Sequence, residues 1–337
     1  MKNRKPNWSR IIPWSLGLLI FICVLITVIK LAVWNKGEAY GEVDPSLVMR
    51  DTDDNITIRP PSLFRTNTPD DGTATIVVFG NDSYYEGLSK SESVMDYFKA
   101  ELDKKDMKEV VIYNFTLPGS RIASYSNVEV SPSEIPEDYF TFYWLSVAKK
   151  LDMLPKLREA LSYLDSSKYD IARYEEVLNE YEALDMNTVD FIFICYDGQE
   201  YINGIRPEPV EAFDGITGDP TTILGSLASS IYVMNAGYPD IQYVYMSPIF
   251  CYTKDDSGKK VACDKYDTGF GSISVYLDAA RNTSTYAGMS YLDLFTGIDL
   301  YESNANSYLE SDGITPNKKA RQMMAERIAT LLSGRLQ

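Results

Sequence analysis

Five short apolar runs recur along the chain: ATIVVFG (74–80), EVVIYNF (109–115), VDFIFICY (189–196), IQYVYMSP (241–248) and MSYLDLF (289–295). Each is rich in β-branched and aromatic residues, the signature of a strand. Between or after them the apolar period becomes that of a helix, near 89–104, 221–236, 271–281 and 317–333. Strands alternating with helices specify an α/β fold with a mainly parallel sheet, and sites in such folds sit beyond the carboxyl ends of the strands.

Two regions depart from this alternation. About 70 residues separate the second run from the third, and they hold helical patterns near 149–165 and 169–185. They predict an αα-hairpin insertion near 127–187, which is either a lid or partner surface, or an acidic helix pair packed on the sheet with one solvated face. The other departure is at the amino terminus. From Ile11 to Ile29 no residue is charged; as a helix this run spans about 28 Å, close to one bilayer core. Trp8, Trp14 and Trp34 stand at its two ends, and Lys2, Arg4, Lys5 and Arg10 precede it. The positive-inside rule then makes residues 1–10 a cytoplasmic basic tail, 11–34 a single-pass transmembrane signal anchor, and the rest extracytoplasmic. A cleaved signal peptide is the rival reading. The run exceeds the usual apolar core of such peptides, and Gly37 with Ala39 makes a poor cleavage site. Residues 35–72 are polar and irregular, a stalk or a lead-in that wraps the domain at 73–337.

Charge sharpens this division. The chain has 337 residues, with 32 Lys and Arg against 48 Asp and Glu, a net charge of -16. Residues 1–36 hold six bases and no acid, so residues 37–337 carry 26 bases against 48 acids, or -22. An acidic body offers no electrostatic footprint for nucleic acid. There are 0 histidines, which removes every mechanism that needs an imidazole as general base or metal ligand. No cofactor is implied. Cys23 and Cys195 lie in apolar runs and read as packed thiols. Cys251 and Cys263 are equidistant from Ser257 in CYTKDDSGKKVAC, where Asp-Asp-Ser-Gly reads as a hairpin turn. They are expected to oppose each other, as a disulfide or as two free thiols.

The segments at the strand ends carry the candidate chemistry. After the first strand comes FGNDSYYEG (79–87), after the second NFTLPGSRIAS, after the third YDGQEYINGI, and before the last helix ESDGITPNKKARQMMAERI. In this order the blocks resemble those of the SGNH/GDSL hydrolase superfamily of esterases, lipases and acyltransferases. The resemblance spans about 73–335. It implies a flavodoxin-like three-layer sandwich with a mainly parallel five-stranded sheet, here preceded by one transmembrane helix. The runs YDGQEYINGI and DPTTILGSLASSIYVMNAGYPDIQYVYMSPIF look like a membrane-anchored Gram-positive branch.

Carried over residue by residue, the resemblance implies a degenerate catalytic triad. Gly80 and Asn81 match the first two positions of the nucleophile block, Asp82 falls at the nucleophile, and Ser83 comes one residue late. Gly119 matches the glycine whose N–H helps bind an oxyanion, and Gln199 is the nearest equivalent of the donor asparagine. Asp312 matches the aspartate of the last block, and Thr315 stands where that block has histidine. A threonine hydroxyl cannot take a serine's proton, and losing a triad base removes on the order of a million-fold in turnover. The expectation is a pseudoenzyme that binds acylated surface glycan or supports a membrane O-acyltransferase. The alternative is an active esterase or O-acyltransferase that uses Ser83, with Asp312 or Asp82 as a base of raised pKa. A third reading makes Asp82, Asp197 and Asp312 hard oxygen ligands for Mg or Ca. Against it, Asp312 can cap its own turn and Asp82 can bond nearby backbone amides. Among the 25 tyrosines some could stack on sugar rings, whereas Tyr113, Tyr196, Tyr243 and Tyr245 lie in strand patterns and read as sheet residues.

Overall fold

The computed structural model describes residues 49–50, 56–58, 73–105, 109–207 and 218–332. The basic tail and the expected anchor lie outside the described residues, as does most of 35–72. Among the described residues no helix is long and apolar enough to cross a membrane. The chain divides into two units, Met1–Val48 and Met49–Gln337, and the described residues belong to the second. It begins with β1 (Met49–Arg50), β2 (Ile56–Ile58) and β3 (Thr73–Gly80), then α1 (Asp82–Tyr85), α2 (Val94–Asp103) and β4 (Glu109–Thr116). The long connection holds α3 (Phe142–Val147), α4 (Leu154–Leu161) and α5 (Ile171–Ala183). After β5 (Phe191–Cys195) come α6 (Gln199–Ile202), α7 (Ile223–Gly237), β6 (Gln242–Met246), and the hairpin β7 (Tyr252–Lys254) and β8 (Lys260–Ala262). The chain closes with α8 (Ile273–Ala287), β9 (Ser290–Leu292) and α9 (Lys318–Leu332).

The five apolar runs form β3, β4, β5, β6 and β9, all parallel, in the spatial order β4-β3-β5-β6-β9. Numbered along the chain this is second, first, third, fourth, fifth, the doubly wound order. Successive connections leave in opposite directions between β3 and β5, which opens a crevice at the carboxyl ends of those two strands. Two further strands lie where the sequence pattern predicts a stalk. β2 pairs antiparallel with β9, Thr57 opposite Tyr291, and β1 pairs antiparallel with β2. The sheet therefore has seven strands, and part of the lead-in belongs to it. Strands of two and three residues are too short to show a period, so apolar patterning does not reveal them.

Helices cover both faces. On one, α2 and α9 pack together, with Phe98 5.8 Å from Phe193 between ring centres. On the other, the Phe79 ring meets Phe142 at 5.7 Å and Tyr181 at 6.0 Å, while the Tyr245 and Tyr276 hydroxyls are 2.7 Å apart. The insertion is thus a covering layer. Along α5, Tyr174, Val177, Leu178 and Tyr181 are buried while Glu175, Glu176, Glu180 and Glu182 face solvent, the helix pair with one solvated face rather than a lid. Tyr196, Tyr243 and Tyr245 are buried in or beside the sheet.

Two details prepare the site. Arg321, at the start of α9, donates from Nε to Glu92 O at 2.8 Å and from a terminal nitrogen to Pro316 O at 2.7 Å. It ties the loop before α9 to the loop after α1. At the free edge of the sheet, Lys99 Nζ donates to Val110 O at 2.9 Å, and Arg173 donates to the carbonyls of Asn114 and Thr116. A cleft of about 970 Å³ runs along this edge, lined by Ser91, Lys99, Val111, Arg173 and Glu176.

Candidate functional site

Gly80 ends β3 where β5 runs closest. A Cβ there would stand 2.4 Å from Cys195 O, so only glycine allows the two strands this approach. The next residue spans the crevice. Asn81 donates from Nδ2 to Asp197 Oδ1 at 2.9 Å, and Asp197 N–H donates back to Asn81 Oδ1 at 3.2 Å. Gln199 N–H adds a bond to Asp197 Oδ1 at 3.0 Å, and Ser83 Oγ donates to Asp197 Oδ2 at 3.4 Å. Asp197 is 8% exposed. Its burial raises the carboxyl pKa even though the Asn81, Gln199 and Ser83 donors favour the charged form; the neighbouring Asp82 pushes it the same way as burial.

The turn from β3 into α1 decides between the two candidate nucleophile positions. It carries Ser83 inward, where it is 3% exposed, and leaves Asp82 outward. Asp82 Oδ2 accepts the Gly119 N–H at 2.9 Å. Gly119 has φ +78, and a Cβ on it would meet the Tyr169 ring at 3.0 Å. The Tyr174 hydroxyl, on α5, donates to Pro118 O at 2.7 Å, so the inserted layer holds this loop in place. Asp82 and Gly119 are therefore brought together, and the hydroxyl of Ser83 bonds to Asp197 instead.

Gln199 does not complete this group. It opens the single turn of α6, and its amide donates to Cys251 Sγ at 3.7 Å, toward the hairpin. The expected side-chain donor at Asp82 and Gly119 is not supplied by Gln199, because the longer arm reaches a different loop. Its neighbour Glu200, which patterning does not single out, has the larger role. Its carboxylate accepts the Ile122 N–H at 2.6 Å and the Ala123 N–H at 2.9 Å, and so anchors the loop after Gly119. Burial pushes its pKa up to about 7, against those two N–H bonds and Arg121. The one available signal was an acid placed just beyond a wholly apolar strand.

Asp312 and Thr315 meet, in a turn of their own. Asp312 Oδ1 accepts the Ile314 and Thr315 N–H groups at 2.8 and 3.0 Å, and Oδ2 accepts the Thr315 hydroxyl at 2.6 Å. Burial raises the Asp312 pKa, but the Thr315 hydroxyl, the two N–H donors and nearby Lys260 outweigh it and hold the carboxyl below its usual value. Among the described residues no group of three acidic or thiol side chains is gathered for a metal ion, so Asp82, Asp197 and Asp312 do not form a hard-oxygen cluster for Mg or Ca. The hairpin is formed as expected, with Tyr252 opposite Ala262 and Lys254 opposite Lys260. Cys251 and Cys263 oppose each other just beyond it, both buried and both free thiols, as is Cys195.

No family model matches the chain, and none of the curated proteins does. Among solved structures, one aligns over 78% of this chain and 97% of its own with a TM-score of 0.51 at 16% identity. A lipase/acylhydrolase from Enterococcus faecalis aligns over 78% and 97%, with a TM-score of 0.43 at 14% identity. A carbohydrate acetylesterase from Sinorhizobium meliloti aligns over 77% and 99%, with a TM-score of 0.41 at 10% identity. The likeness is one of fold alone: at a TM-score of 0.51 the first of these structures shares the overall fold of the body across most of its length.

Proposed function

We propose, from a body with the SGNH/GDSL-hydrolase fold, that this chain is a membrane-anchored extracytoplasmic protein that binds its ligand at the Asp82–Gly119 end of the sheet without hydrolysing it. One observation carries the reading: Asp82 Oδ2 rests on the Gly119 N–H at 2.9 Å. An oxyanion hole accelerates acyl transfer by offering donors to charge that develops only in the transition state. A resident carboxylate takes that donor permanently and sets a like charge beside any oxyanion. Ser83 is turned inward, and the chain has 0 histidines to serve as a base.

The uncharged run from Ile11 to Ile29, read as an anchor, and the acidic body support an extracytoplasmic placement. The family resemblance supports an acylated surface glycan as ligand, or a role beside a membrane O-acyltransferase. Tyr169, lying against Gly119, offers a ring face for a sugar, and the exposed Asp82 carboxylate can accept its hydroxyl protons. An active esterase or O-acyltransferase would have to use Ser83 with Asp197 as base. The raised pKa of Asp197 favours that pairing, and the burial of Ser83 opposes it.

Hydrolysis of p-nitrophenyl acetate by the full chain tests the reading. The wild-type rate is expected to equal that of Ser83→Ala. Saturable turnover that disappears in Ser83→Ala would sink the proposal. In the double variant Asp82→Ser, Thr315→His, a hydroxyl replaces the carboxylate on Gly119 and an imidazole stands beside Asp312. It is expected to gain about a hundred-fold in turnover.

A further inference from the structure

We propose that Cys251 and Cys263 are a dithiol–disulfide couple whose oxidation staples the β7–β8 hairpin under the loop that carries Asp312 and Thr315. Directly opposed residues of an antiparallel pair have Cα atoms about 4.5–5.5 Å apart, inside the range that a disulfide bridges without backbone movement. Here the two cysteines are opposed at the root of the hairpin. Cys263 N–H donates to Cys251 O at 3.1 Å, and Cys251 N–H donates to Cys263 Sγ at 3.4 Å. The Cys251 sulfur beside it, together with that N–H, lowers the Cys263 pKa against its burial, while the Cys263 sulfur and burial raise that of Cys251. Disulfide exchange needs one sulfur to attack and a second to resolve the mixed disulfide, and two opposed cysteines supply both.

The location gives the pair a consequence. At its outer side the hairpin holds the 312–315 loop: Tyr252 N–H donates to Gly313 O at 2.8 Å, and a Cβ on Gly313 would meet Lys260 Cε at 3.0 Å and Tyr252 Cβ at 3.3 Å. At its inner side Cys251 Sγ accepts the Gln199 amide at the start of α6. A bond across residues 251 and 263 therefore fixes the support that lies between two of the site's loops.

The oxidant is a low-molecular-mass disulfide. The Cys263 thiolate attacks one of its sulfurs and expels a thiolate, giving a mixed disulfide. Cys251, losing its proton, then attacks the Cys263 sulfur and expels the second thiolate. In sum two S–H bonds break and one S–S bond forms, and two electrons and two protons pass to the oxidant, which leaves as two thiols.

The inference is independent of whether the site hydrolyses or only binds. The test equilibrates the full chain in mixtures of oxidised and reduced glutathione, then denatures, alkylates and maps it by mass. Cys251 and Cys263 are expected to resist alkylation together, in peptides joined with the loss of two hydrogens, while Cys23 and Cys195 alkylate. The oxidised wild type is expected to melt about 3–6 °C higher than the reduced form, a difference absent from Cys251→Ala and Cys263→Ala. Amide exchange at Tyr252 and residues 312–315 is expected to slow by roughly threefold or more on oxidation. Alkylation of both cysteines in every mixture, pairing of either with Cys195, or only glutathione adducts would overturn the couple. A bond that forms with exchange at 312–315 unchanged would overturn the staple. The wild-type alkylation pattern decides the first point even if a cysteine variant does not fold.

Discussion

The site has two halves, and they are built in opposite ways. Around Asp197, groups from segments that follow two different strands, Asn81 and Asp197 being 116 residues apart, share one buried carboxylate. Around Asp312, every described bond to the carboxylate comes from within three residues of the same turn. Their electrostatics diverge accordingly. Burial lifts Asp197 and Glu200, while local donors hold Asp312 low. The first half is part of the sheet's structure; the second is a self-satisfied loop resting on the hairpin. A catalytic triad needs its aspartate to spend hydrogen-bonding capacity on an orienting partner, and Asp312 spends it on Thr315 and its own backbone.

Three measurements sharpen or break this contrast. The largest effect is expected from Asp197→Ala, which leaves the Asn81 amide, the Ser83 hydroxyl and the Gln199 N–H without their acceptor in a buried place. It should cost about 4 kcal/mol in urea unfolding, against about 1 kcal/mol for Asp197→Asn. Equal losses in the two variants would show that the web is not what holds this corner. The second effect is a pH dependence. Glu200 holds its proton more tightly folded, with a pKa of about 7, than unfolded. Stability should therefore fall as pH rises from about 4.5 to about 7, by up to about 3 kcal/mol, and stay level above. Glu200→Gln should flatten that window; a wild-type curve already flat there would contradict the assignment. The smallest effect is Asp312→Ala, about 0.5–1 kcal/mol, as for an exposed capping side chain. Because the folded pKa of Asp312 is depressed, its contribution is present above its unfolded value and is lost as pH falls through the folded one. Its titration thus runs opposite to that of Glu200, and pH-dependent unfolding of the two variants would separate them.

Patterning made the five central strands legible because each is an apolar run of several residues set between turns. The insertion's acidic stripe was legible for the same reason, although its role as a sheet-covering layer depended on where Tyr181 and Phe142 landed against Phe79. Periodicity says which face a residue shares. It does not say which distant residue it meets, so the bridge from Asn81 to Asp197 and the grip of Glu200 on Ile122 and Ala123 could not be read from spacing. The choice between Asp82 and Ser83 was of the same kind. Two adjacent polar residues at a strand end point to opposite sides, and only the geometry of the turn decides which one meets Gly119. Gln199 shows the limit of block matching, since a similar side chain one methylene longer finds a different partner.

The rims of the sheet carry one more consequence. At one rim Lys99 and Arg173 occupy outward carbonyls of β4; at the other β1 is only two residues long. A strand from a neighbouring copy meets cations along the first ladder and too little backbone along the second. Among the described residues, then, neither rim presents a long ladder of unoccupied backbone groups, which is what edge-to-edge pairing of sheets from crowded chains requires.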